Sequence, residues 1–91
     1  MIVYHVTSFK KLNKYARNGI ILPPVRAWEA IEDAERFSIQ TGRPLILRLN
    51  FPEDAEKLGG HRSVARVTND PYDVTSMFGK PQSSNRVMVA K

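Results

Sequence analysis

Cysteine is absent from the 91-residue chain, which excludes a disulfide scaffold, a thiolate zinc site and a thiol nucleophile. No apolar run approaches the roughly 18 residues of a membrane-spanning helix, so no membrane partner is expected. The opening Met1-Ile2-Val3-Tyr4 has no basic stretch ahead of a long apolar one. The expectation is therefore a cytoplasmic protein without a secretory signal. G-x-S-x-G, P-loop and G-x-G-x-x-G motifs are missing too, which leaves serine-hydrolase, nucleoside-triphosphatase and dinucleotide-fold readings without support. Histidine is scarce. Only His5 and His61 occur, neither with a second ligand at metal-binding spacing, so no metal is expected.

Acids are unevenly missing. Residues 1–27 hold Lys10, Lys11, Lys14, Arg17 and Arg26 and no Asp or Glu, and no acid follows Asp73. Residues 28–41 hold Glu29, Glu32, Asp33 and Glu35 against Arg36. The net charge of +5 therefore comes from the two ends of the chain. If the ends meet in the fold, they form one positive surface suited to phosphates, RNA or DNA. A solvated surface on a small protein accounts for the same charges.

What is present describes a folded domain. Hydrophobic residues make up 42% of the chain, too many for a disordered tail. The length fits one domain, expected to span residues 1–91. A core of that size has little reserve, and a homo-oligomeric interface would add to it.

Alternating, β-branched and aromatic residues predict a strand over Ile2–Val6. Thr7 or Ser8 is placed to cap a helix over Phe9–Asn18, which Asn18-Gly19 ends. Ile20–Leu22 is a short apolar run stopped by Pro23-Pro24, and Val25–Trp28 reads as a further short strand. A second helix is expected over Ile31–Thr41, with Ala30, Ala34 and Phe37 as its inner stripe and Gly42 as its stop. Pro44–Phe51 (PLILRLNF) is the most strand-like segment, and its apolarity predicts a central strand covered on both faces. Pro52 and Gly59-Gly60 bracket a short charged turn or helix. Short strands are expected within His61–Val67 and Tyr72–Thr75, and a last one over Asn85–Ala90. The order β-α-β-β-α-β followed by strands argues an α+β domain.

Three clusters carry candidate chemistry. On a strand, His5 and Thr7 point to one face, just before a helix N-terminus whose free N–H groups suit an anion. Lys10 and Lys11 fall in that first turn, where cations are disfavoured unless an anion binds. A capping Thr7 or Ser8, solvated lysines and a satisfied His5 explain the same residues without a ligand. Arg26 and Trp28 share a stiff, Pro-led segment and suit phosphate and ring stacking. More often a lone Trp in a chain this short is simply the largest piece of the core. Ser83-Ser84-Asn85-Arg86 opens an apolar run, and its polar groups suit either a turn or a ribose.

These residues together resemble the ADP-ribosyltransferase superfamily. Tyr4-His5-Val6-Thr7 is similar to its H-x-T opening. A helix ending in Asn18-Gly19-Ile20, the Val25–Trp28 strand and a helix carrying Glu32-Asp33-Ala34-Glu35-Arg36-Phe37 follow in the same order. Ser83-Ser84-Asn85-Arg86-Val87 is similar to the S-x-N-G-V stretch of the RNA 2′-phosphotransferase branch, and Gly42-Arg43 also resembles that branch. The likeness covers residues 2–50 and, more loosely, 83–90.

The resemblance implies a small split β-sheet with two main helices and an NAD cofactor in the cleft. It implies that His5 bonds the NAD ribose, with Thr7 and Ser8 along the same wall. Arg26 and Trp28 would face nicotinamide or phosphate, and Asn85 would mark the last motif. Catalysis would be electrostatic, through His5, Arg43 and Arg86, on a phosphorylated or nucleic-acid substrate. Lys10, Lys11 and Arg17 would meet its phosphates. The chain departs from the protein-modifying members in having Arg86 where they carry a Glu. The phosphotransferase branch works without that Glu, but its N-terminal nucleic-acid-binding half has no counterpart here. A non-catalytic nucleotide- or nucleic-acid-binding module on the same scaffold is the alternative.

Overall fold

A computed structural model describes residues 1–59 and 64–78. The element order is β1 (Ile2–Thr7), α1 (Phe9–Asn18), β2 (Ile20–Ile21), β3 (Val25–Trp28), α2 (Ile31–Thr41) and β4 (Leu45–Asn50). It continues with β5 (Glu56–Gly59), β6 (Val64–Thr68), β7 (Tyr72–Asp73) and α3 (Thr75–Phe78). A five-stranded antiparallel sheet has the order β4-β1-β3-β6-β5, and β2 pairs with β7 as a separate two-stranded sheet. Among the described residues the domain is thus α+β, with two main helices and one short one.

Strand alternation divides the sheet's side chains between two clusters. On one face Val3, Val25, Ala27, Leu47 and Leu49 pack with Ile21, Phe51 and Val74, and Leu12 and Tyr15 of α1 lie against them. On the other, Val6 and Ile46 meet Ala34 of α2, with Tyr4, Trp28 and Phe37 alongside. Ala34 and Phe37 therefore do form the inner stripe of α2.

Both helices end as the sequence indicates. Gly19 and Gly42 take φ of 76° and 71°, a left-handed conformation that glycine adopts without a Cβ penalty. Ser8, not Thr7, is the α1 cap: its Oγ accepts from the Lys11 N–H at 3.2 Å.

Three expectations are corrected. β4 lies at the sheet edge, with no outer strand partner among the described residues, and is buried along one face at Leu47 and Leu49 but on the other only at Ile46, with Arg48 and Asn50 exposed. Apolar composition reports which faces are buried, and says nothing about the edge. Glu53 and Asp54 do form a charged turn, closed by the Ala55 N–H on the Pro52 carbonyl at 3.0 Å, but residues 56–59 continue as an exposed strand. Their pairing with β6 holds them, beside an Arg66 that donates to Glu29 at 2.5 Å and to the Ala55 carbonyl at 2.8 Å. The expected Tyr72–Thr75 strand stops at Asp73, whose carboxylate accepts from the Thr75 N–H and hydroxyl and starts α3. Asn85–Ala90 and the start of the His61–Val67 strand lie outside the described residues. Among the described residues no helix is long and apolar enough to cross a membrane.

Candidate functional site

The strand pairing around β1 is lopsided. β1 matches β4 in six consecutive pairs, Ile2↔Asn50 through Thr7↔Leu45, but joins β3 through Tyr4↔Trp28 alone. Past that pair the ladder stops, and a seam runs between the Thr7 end of β1 and the Val25 end of β3. A cleft of about 1110 Å³ lies there, ample for a small organic ligand. Because it sits at a seam, residues from both faces of the sheet reach it. His5 and Ala27 come from one face and Arg26 and Trp28 from the other.

Positive charge dominates the lining. Lys11 from α1, Arg26 from β3, Arg36 from α2 and Arg43 from the α2–β4 connection all contribute, and no lining residue is acidic. Arg36 pairs with Asp33 one helical turn earlier. Lys11, Arg26 and Arg43 make no ion pair among the described residues. Glu29, next to Trp28 in the chain, is engaged by Arg66. An anion entering the cleft would meet three cations that have no ion pair among the described residues, each able to give it charge-assisted hydrogen bonds.

Aromatic surface lies beside them. Trp28 and Phe37 pack with ring centroids 5.6 Å apart and planes tilted by 55°, a favourable tilted pair. Trp28 also backs onto the second cluster while lining the cleft, so one half-buried side chain serves both the core and the cleft wall.

His5 forms part of the wall. Its Nδ1 lies 2.7 Å from the Arg26 carbonyl and its Nε2 lies 3.1 Å from the Tyr15 hydroxyl. A carbonyl only accepts, so Nδ1 carries the proton and Nε2 accepts from Tyr15. Burial holds the imidazole pKa below its usual range, and Lys11 and Arg43 push the same way against the pull of the Arg26 carbonyl. His5 is therefore uncharged at neutral pH.

The cleft thus gathers His5, Lys11, Arg26, Trp28 and Arg43 of the sequence candidates. Thr7 is 0% exposed and bonded to Tyr15, out of reach of a ligand. Ser8 serves the helix cap, and Lys10 and Arg17 are exposed on α1 outside the lining. Asn85 and Arg86 lie outside the described residues. Sequence reading overlooked Arg36 and Tyr15. Tyr15 sits at core spacing in α1, and nothing local reveals that its hydroxyl meets a strand residue ten positions earlier.

Compared with protein-family models, curated proteins and solved structures, the chain has no match in any of the three.

Proposed function

We propose that this domain binds an anionic nucleotide of the NAD class in the seam between β1 and β3. The observation that carries this reading is the lining itself. Three cations with no ion pair among the described residues and an aromatic pair line one recess, and none of its described lining residues is a carboxylate. Lys11, Arg26 and Arg43 would hold the pyrophosphate, and Trp28 would take a ring by stacking. The H-x-T and Gly-Arg likeness to ADP-ribosyltransferases supports NAD over other anionic nucleotides. With no acid in the lining to polarise a ribose hydroxyl, binding and electrostatic stabilisation are what these residues supply.

Calorimetric titration with NAD tests the reading. Arg26→Ala and Arg43→Ala should each weaken binding by roughly 10-fold or more, the usual worth of a hydrogen bond to a charged group. Affinity unchanged in both variants, or no binding by the wild type at millimolar NAD, overturns it.

A second reading, an RNA- or DNA-binding module, is favoured by α1. Lys10, Lys14 and Arg17 lie along one exposed stripe of that helix, which has no acid. On that reading a single-stranded oligonucleotide binds with a steep salt dependence that flattens when these three are neutralised.

A further inference from the structure

Where the β1–β3 ladder ends, a side chain takes its place. The Arg26 carbonyl is held across the seam by His5 Nδ1–H at 2.7 Å. The other ring nitrogen accepts from the Tyr15 hydroxyl at 3.1 Å, and the Tyr15 oxygen accepts from the hydroxyl of Thr7 at 3.3 Å. Thr7 is fully buried. Each proton in this chain has one consistent place: Thr7 to Tyr15, Tyr15 to Nε2, Nδ1 to the carbonyl. An unconstrained histidine side chain favours the proton on Nε2, so the protein holds His5 in the less common neutral form.

Both ring nitrogens are therefore occupied, and His5 influences a ligand through what it holds rather than by direct hydrogen bonding. What it holds is the backbone of Arg26, one of the three cleft cations with no ion pair among the described residues. The Arg26 carbonyl fixes the proton on Nδ1, and Tyr15, donating to Nε2, holds the ring against that carbonyl. We infer that Tyr15 is a positioning residue of the cleft: its hydroxyl, seated on Thr7, holds the His5 ring whose Nδ1–H anchors Arg26 at the open edge of β3. The effect on ligand affinity rests on the nucleotide reading above, whereas the position of the ring does not.

The test compares wild type, Tyr15→Phe and Thr7→Val, labelled with ¹⁵N and ligand-free. Long-range proton–nitrogen correlation of the His5 ring reads the tautomer, and the Ala27 amide nitrogen reads the hydrogen bond on the adjoining Arg26 carbonyl. Wild type should show the proton on Nδ1. Tyr15→Phe should keep the proton on Nδ1 but shift the Nε2 signal, and the loosened ring should weaken the hydrogen bond that the Ala27 signal reads. Thr7→Val should do the same to a smaller extent, and it serves alone if Tyr15→Phe does not fold. NAD affinity should fall several-fold in Tyr15→Phe although no lining residue has changed. A wild-type ring protonated on Nε2, or an Ala27 signal unmoved in the variants that fold, overturns the inference. Absence of NAD binding by wild type overturns the nucleotide reading instead, and the Ala27 result still decides the role of Tyr15.

Discussion

His5 links the stability of this fold to pH. Its folded-state pKa is pushed below the ordinary 6.5, first by burial and then by Lys11 and Arg43. Between the two values the unfolded chain holds more protons than the folded one, so stability rises with pH through that window and levels off above it. Thermal unfolding should therefore occur at a lower temperature at pH 5.5 than at pH 7.5. His5→Asn keeps a donor near the Nδ1 position but does not titrate, and should flatten that dependence. An equal slope in both proteins contradicts the assignment. Gly19 and Gly42 give a second test on single residues. Both have positive φ, but a Cβ on Gly19 would stand 3.0 Å from the Thr75 methyl, while one on Gly42 meets nothing within 4 Å. Gly42→Ala should cost about 1 kcal/mol through backbone strain alone, and Gly19→Ala measurably more. Chemical denaturation of the two variants ranks them.

Elements were legible where local chemistry decides them. The α1 and α2 boundaries follow from apolar spacing and the glycines behind each helix, and they match the structure at Phe9–Asn18 and Ile31–Thr41. β1, β3 and β4 carry enough β-branched and apolar residues to stand out. β5 does not, because Glu56, Lys57, Leu58 and Gly59 are all exposed and owe their strand to pairing with β6. The edge placement of β4 and the seam beside β1 were likewise illegible, being properties of pairing between distant segments. Two substitutions test the elements. Ser8→Ala removes the α1 cap and should cost about 1 kcal/mol, a drop of roughly 4–8 °C in a domain of this size. Leu47→Ala, at a fully buried position of β4, should cost about 2–5 kcal/mol. If the capless variant lost more than the Leu47 variant, this ranking of local against tertiary contributions would be wrong.

At the scale of the whole molecule, part of the basic excess acquires a location. The sequence showed that residues 1–27 are basic; the fold brings Lys11 and Arg26 from that segment to Arg43 from another, around one opening. His5, Trp28 and Arg43 were legible as candidates from motif and composition. Tyr15 and Arg36 were not, since their roles depend on how α1 and α2 sit against the seam. The measurement that tests the account most directly is an NMR titration of the ¹⁵N-labelled protein with NAD, read residue by residue. The expected result is saturable perturbation centred on His5, Lys11, Arg26, Trp28 and Arg43, with the outer face of α1 at Lys10, Lys14 and Arg17 little changed. Perturbation confined to that outer face, or none at millimolar NAD, would contradict a nucleotide cleft at the β1–β3 seam.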